Sequence, residues 1–189
     1  MVGPRLSPRR LAHVESVAET IERIAARWSG ARRDAAVRAA WYHDAWKCDP
    51  TEAMLKEIRA GGEEPDPWAL GRAPVLIHAQ AAAVWARRAM GEEEEDVLFA
   101  VRHHPTGHPD WGEIGRALYV SDFCEPNRPH AESLGTARLA RRAAESPDAL
   151  AETALEILAI RLGRALESRR PIHPDGWRAW NAWSGAGGP

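Results

Sequence analysis

Cysteine is almost absent from this chain: Cys48 and Cys124 are the two in 189 residues. Two thiols cannot build a disulfide framework, and the expectation is that both stay reduced in a cytoplasm. Lysine is as scarce, with Lys47 and Lys56 alone among 25 basic residues. No stretch approaches the roughly 18 consecutive apolar residues that a membrane helix needs. The first ten residues are basic but lead into no apolar run of signal-peptide type. A net charge of -2 leaves no broad basic field. Duplex nucleic acid and membranes are therefore not expected as partners, and any bound anion must be held by a local site. Strand-like alternation of apolar and polar residues is missing as well.

What is there is helical periodicity, so the expected fold class is all-α, a single helical bundle. Residues 7–28 carry Val14, Val17, Ile21, Ile24 and Trp28 as one stripe, with Ser7-Pro8 as cap and first turn. A second helix is expected over about 31–47 with Val37, Ala40 and Trp41 inward, and a short one from Thr51 to Arg59. The glycines and prolines of 61–74 predict a loop. Further helices are expected over about 75–90, 92–104, 112–124 and 147–168, with 171–183 irregular or briefly helical. No composition shift marks a boundary, which predicts one domain over 1–189, with its core at about 7–183 and a disordered tail at 184–189.

The apolar stripes are interrupted by residues that bind metals. Asp44 follows Val37 and Trp41 at i+7 and i+3, in an apolar neighbourhood where a lone carboxylate is costly. His43 stands beside it. His13 lies at the margin of the first stripe, His78 follows Val75, His104 continues Val97 and Val101, and Asp122 continues Ile114 and Leu118. One histidine on an apolar face is usually a satisfied core residue. Five helices that each aim such a group inward point instead to convergence. Imidazole with carboxylate suits Fe, Mn, Zn, Ni or Co, and the cysteines lack the spacing of a structural zinc site. Six ligands exceed what one ion needs if it must also hold water, and suit two ions a few ångströms apart, which points to phosphoester or phosphoanhydride hydrolysis.

These residues resemble a known family. His13, His43-Asp44 and Asp122 follow the H…HD…D signature of HD-domain metal-dependent phosphohydrolases. The sequence is most similar to their YqeK-like branch, the symmetrical diadenosine tetraphosphate hydrolases that release ADP. The likeness spans roughly residues 9–181 and rests on Arg10-Leu-Ala-His13, His43-Asp-Ala-Trp-Lys47, Leu76-Ile-His-Ala79, Arg102-His-His-Pro-Thr-Gly107, Ser121-Asp-Phe-Cys-Glu-Pro-Asn-Arg128 and Ile172-His-Pro-Asp175. It implies His13, His43, Asp44 and Asp122 around one metal, His78 and His104 on a second, and Asp44 bridging. Iron is the first candidate, with Mn, Co, Ni, Zn or Mg as alternatives. Four positions depart from the family pattern, His103 and Pro105 on either side of His104 where the family has Tyr-His-Thr, Ser121 for alanine and Gln80 for proline, and none of the four is a proposed ligand.

The expected activity is hydrolysis of a nucleotide phosphoanhydride, foremost diadenosine tetraphosphate to two ADP, by a metal-activated hydroxide. Asp44 and Lys47 are the catalytic candidates. Lys47, Thr106, Gly107 and Arg128 are the candidates for holding the phosphate chain, and Trp46 or Trp111 for stacking on a base. A homodimer is kept open. Another HD-domain nucleotidase or nucleoside triphosphate hydrolase, or a catalytically silent nucleotide-binding module, are the competing readings. His103, His108, His130 and His173 lack partners in this scheme, with the pocket mouth as the alternative place for His103 and His108.

Overall fold

The structure is a computed structural model that describes residues 6–128 and 131–185. Among the described residues there are ten α-helices, a 3-10 turn and no strand. The first helix, α1 (Pro8–Ile24), begins where Ser7 Oγ accepts a hydrogen bond from Arg10 N and Pro8 occupies the first turn. Its buried stripe is Val14, Val17, Ile21 and Ile24. The tail reading falls largely on residues outside the described ones.

Helix α2 (Gly30–Tyr42) is shorter than its periodicity suggests and faces the core differently. The buried residues are Ala35, Ala36, Ala39 and Ala40, whereas Val37 and Trp41 are only half-buried. Small side chains let the backbone approach α1 and α7. Beyond Tyr42 the chain tightens into successive turns, Ala45 N to Tyr42 O at 3.0 Å, Lys47 N to Asp44 O at 3.0 Å and Asp49 N to Trp46 O at 3.3 Å. His43 and Asp44 therefore stand just past the helix end rather than inside it. His43 still follows the buried alanines at i+4 and i+3, so it points inward.

Helix α3 (Thr51–Ala60) forms as its pattern implies. The supposed loop at 61–74 contains α4 (Pro67–Arg72). Asp66 caps it, accepting from Trp68 N at 2.8 Å and Ala69 N at 3.0 Å. Asp66-Pro67 is a helix start, not a breaker, because proline at the first turn forfeits no intrahelical bond. A 3-10 turn at Pro74–Leu76 leads into α5 (Ile77–Met90), which stops at Gly91 with φ +70°. Then come α6 (Glu95–His103) and α7 (Glu113–Cys124). Helix α8 (Thr136–Ala143) has little apolar signature in TARLARRA and escaped the periodicity. Helix α9 (Pro147–Glu167) is capped by Ser146, and α10 (Pro174–Trp183) takes the helical one of the two forms, irregular or briefly helical, expected for 171–183.

Helix α7 is the axis of the molecule. Ten of its twelve residues are buried, and α1, α2, α6, α8 and α9 all pack on it. The polar Ser121 and Asp122 are carried into the interior with Leu118, Tyr119 and Phe123. No helix of the described residues is long and apolar enough to cross a membrane.

Candidate metal centre and phosphate cleft

Three histidines stand at helix ends and share one local geometry. His43 follows α2, His78 is the second residue of α5 and His104 follows α6. Each donates Nδ1–H to the carbonyl three residues back: His43 to Ala40 at 2.6 Å, His78 to Val75 at 2.5 Å, His104 to Val101 at 2.8 Å. A carbonyl can only accept, so the proton is fixed on Nδ1 and each Nε2 lone pair faces inward. His13, on the second turn of α1, has Nδ1 at 3.4 Å from Glu125 Oε2, the carboxylate form of the same support.

Asp44 stands among the four imidazoles. Its Oδ2 lies 3.6 Å from His13 Nε2 and 3.7 Å from His43 Nε2. Its Oδ1 lies 3.2 Å from His78 Nε2 and 3.5 Å from His104 Nε2. Asp122 Oδ1 joins the first pair, 3.3 Å from His13 Nε2 and 3.8 Å from His43 Nε2. The structure thus brings all six sequence candidates together, in two adjoining groups that share the Asp44 carboxylate. Subsets of these groups offer ligand atoms close enough to hold an ion.

The electrostatics suit that use. Burial raises the pKa of Asp44, but His43, His104 and His78 outweigh it and hold the carboxyl well below its usual range. Burial likewise raises Asp122, and His13, Arg128 and Arg161 more than compensate. Burial lowers His43 against the pull of Asp44 and Asp122, and lowers His104 to about 3. At neutral pH the carboxylates are charged and these two imidazoles neutral, the forms in which such groups bind metals. The nearby thiol of Cys124, pushed up to about 12 by burial, stays protonated. An all-nitrogen-and-oxygen donor set of this kind fits Fe, Mn, Co, Ni or Zn.

A cleft of about 720 Å³ opens onto Asp44, His104 and Asp122. It is lined by Arg10, Lys47, Arg72, Arg128, Arg161, Arg164 and Arg170, seven cationic residues against two carboxylates. In a chain of net charge -2 this is a local concentration of positive charge, the kind of place an anion needs here. Arg10 Nη1 lies 2.5 Å from Asp44 Oδ2. Arg128 Nη2 bonds Asp122 Oδ1, and its Nε donates to the Asp122 carbonyl at 3.1 Å. Lys47 Nζ stands 3.2 Å from His78 Nε2, and burial lowers its pKa although Asp44 and Asp122 pull it back up.

Lys47 and Arg128 are therefore in the cleft; Thr106 and Gly107 are not among its lining residues. Both of their N–H groups donate to His103 O, at 3.0 and 2.9 Å, and so are spent on closing the turn after α6. Trp46 and Trp111 are 7% and 3% exposed, core residues rather than stacking platforms. Arg10, Arg161 and Glu125 were missed. Arg10 had a signal, since it precedes His13 by three residues on one helix face. Arg161 had one too, a charge within the Ile157, Leu158, Leu162 stripe of α9. Its Nη2 donates to Asp122 Oδ2 at 3.0 Å, its Nη1 to Pro105 O at 3.3 Å, and its guanidinium lies 4.4 Å from the Tyr119 ring centre. Of the four histidines left without partners, His103 and His108 pack ring to ring and His173 caps α10, none of the three lining the cationic cleft, and His130 lies outside the described residues.

Known proteins resemble this chain in sequence and in fold. The family model described as HD domain matches residues 10–126, which contain all six groups. A symmetrical bis(5'-nucleosyl)-tetraphosphatase of Halalkalibacterium halodurans is 30% identical over 96% of this chain and 92% of its own length. A protein of the same name from Bacillus subtilis is 29% identical over 95% of this chain and 92% of its own. In fold, the structure matches a Clostridium acetobutylicum crystal structure described as a predicted HD superfamily hydrolase involved in NAD metabolism. That match has a TM-score of 0.84 at 24% identity and covers 97% of this chain and 93% of the other.

Proposed function

Because the chain belongs to the HD domain family, we propose that it is a metal-dependent phosphohydrolase that splits diadenosine tetraphosphate symmetrically into two ADP. The names carried by its relatives support the substrate. The observation that carries the reading is the cleft, where seven cationic side chains surround the mouth of a buried histidine and aspartate cluster. A neutral or singly charged ligand has no use for so many cations; a chain of phosphates does.

The proposed centre would hold two divalent ions, iron first, with His13, His43 and Asp122 as ligands on one side of Asp44 and His78 and His104 on the other. When bound, such a pair supplies hydroxide at neutral pH and shields phosphate oxygens. The side chains do the rest. Hydrolysis adds the oxygen of water to one of the two central phosphorus atoms and breaks that atom's bond to the oxygen between them, so each half departs as ADP. Arg10 and Arg128 sit beside the two carboxylates and offset the charge of the phosphate chain. Lys47 places a cation one helical turn's length beyond His43, where the departing phosphate gains charge. Arg161 holds Asp122 from behind and is a positioning residue. The two free cysteines, Cys48 exposed and Cys124 buried, fit a reducing cytoplasm as its compartment.

The test is to load the purified protein with iron, manganese or cobalt, incubate it with diadenosine tetraphosphate and resolve the products by chromatography. ADP as the only product supports the proposal. AMP with ATP means a different cleavage point, and no turnover of any dinucleoside polyphosphate or nucleotide means a binding module.

A further inference from the structure

A second cluster of metal-binding side chains lies on the other side of the α6–α7 turn. His103 ends α6, and the chain then reverses through Pro105, Thr106 and Gly107, the last at φ +80°. This reversal returns His108 to His103, their rings 4.5 Å apart between centres, both packed on the Phe99 ring at 4.6 Å. Asp175, in the first turn of α10, completes the group with Oδ2 at 3.4 Å from His103 Nδ1. One ligand atom from each of His103, His108 and Asp175 lies within 4.8 Å of the others.

The backbone holds these three in place without them. A Cβ on Gly176, the residue after Asp175, would stand 3.0 Å from Thr106 O, so α10 seats directly on the turn. Trp183, at the far end of α10, donates Nε1–H to Pro109 O at 3.2 Å. The ligand atoms are therefore presented by a fixed frame, the condition for a metal site rather than a mobile pair.

We propose that His103, His108 and Asp175 bind one further divalent transition cation of borderline character, Zn²⁺ being the type, which ties α10 to the α6–α7 turn. Two imidazoles and a carboxylate select such an ion over Mg²⁺ or Ca²⁺, which prefer all-oxygen shells. Three protein ligands leave a fourth position for water. The outer contacts fit. Asp175 Oδ1 receives Arg178 Nη1 at 3.3 Å, while Oδ2 faces His103 Nδ1 at 3.4 Å, with His173 Nδ1 at 3.6 Å. Asp110 Oδ2 lies 3.7 Å from His108 Nδ1, poised to accept its proton and free Nε2 for the metal. That same Nδ1 accepts from Asp110 N at 3.2 Å, so binding through Nε2 exchanges this exposed bond for one to Asp110 Oδ2. The site does not depend on the proposed reaction, since none of its residues lines the cationic cleft.

The experiment counts metal. Wild-type protein and His108→Ala and Asp175→Asn variants, each loaded with manganese at the main centre, are titrated with Zn²⁺. Bound zinc is then measured by elemental analysis after gel filtration, and melting temperature is followed in parallel. The expected result is one equivalent more zinc in wild type than in either variant. A zinc-dependent rise in Tm should accompany it, roughly 5 °C at 100-fold excess over Kd, and be lost in both variants. Equal zinc content in all three proteins overturns the proposal, as does an extra equivalent that persists in both variants. A Co²⁺ titration read by visible absorption separates the two centres. The new site should give a four-coordinate spectrum that vanishes in His108→Ala while the main-centre signal remains, and its persistence there also overturns the assignment.

Discussion

Asp44 Oδ1 lies 3.2 Å from His78 Nε2, while the other oxygen of the same carboxylate faces His13 and His43. The two oxygens thus serve different imidazole pairs, so losing Asp44 and losing His78 should have different consequences. Asp44→Asn is expected to empty the proposed two-ion centre and lower kcat by well over ~100-fold, beyond the 10–100-fold typical of an outer partner. His78→Ala should retain one ion, held by His13, His43, Asp122 and Asp44. Elemental analysis alongside turnover of diadenosine tetraphosphate checks both. Full activity in Asp44→Asn, or equal metal loss in the two variants, would contradict the shared-carboxylate arrangement.

The convergence of the six residues was legible because histidines and aspartates stand in apolar surroundings where hydrophobes are expected, although the Val37, Trp41, Asp44 stripe is not the buried face of α2 and Val75, before His78, is exposed. What was not legible depends on how separate segments meet. Arg161 comes 39 residues after Asp122 and is recognisable as its partner only once α9 lies on α7. Glu125 reads as part of a turn and becomes the support of His13 only through a contact spanning 112 residues. Helix α4 was hidden because Pro65 and Pro67 look like breakers, although Asp66 turns the second into a helix start. Helix α8 offers Leu139 alone as a large buried hydrophobe. Thr106 and Gly107 failed for a simpler reason: a turn that looks rich in free donors had already used them on His103 O.

Arg161 should matter through Asp122 rather than through substrate. Its side chain is a quarter exposed, so removing it leaves a buried carboxylate short of one partner without opening the core. Arg161→Gln is expected to weaken metal affinity by about 10–100-fold. Arg161→Lys should recover only part of this, since an ammonium cannot span both Asp122 and Pro105 O. Apparent Kd for Mn²⁺, measured by activity titration and directly by calorimetry, reads the effect. Unchanged Mn²⁺ affinity with a raised KM would instead place Arg161 on the substrate.

The outer cations of the cleft should act on binding more than on chemistry. Arg164 and Arg170 line the opening without bonding Asp44 or Asp122. Arg164→Ala and Arg170→Ala are each expected to raise KM by roughly 5–10-fold, about 1–1.4 kcal/mol, with kcat nearly kept. Raising salt from about 0.05 M to 0.5 M should raise the wild-type KM in the same direction, because exposed charges are screened over the Debye length. Steady-state kinetics at two ionic strengths decides this, and a salt-independent KM would remove the electrostatic account of the cleft.

Away from the centre, Glu92 and Arg38 couple α2 to the segment joining α5 and α6. Arg38 Nε donates to Glu92 Oε2 at 2.7 Å, and Nη2 reaches Glu94 Oε2 at 2.8 Å. Burial raises the pKa of Glu92, yet the Arg38 hydrogen bond and the Glu94 N–H it accepts outweigh this, and the net direction is down from the ordinary 4.5. A carboxyl with a depressed folded-state pKa contributes stability that is fully present above its unfolded value. That contribution is lost as pH falls through 4.5 toward the folded value. Arg38 is 39% exposed, so screening keeps the effect near ~1 kcal/mol. Glu92→Gln should therefore lower Tm by roughly 2–4 °C at pH 7 and have little effect near pH 3, flattening the acid limb of the stability curve. Thermal melts of both proteins between pH 3 and pH 7 test this, and parallel curves across that range would show that the Glu92 charge contributes nothing.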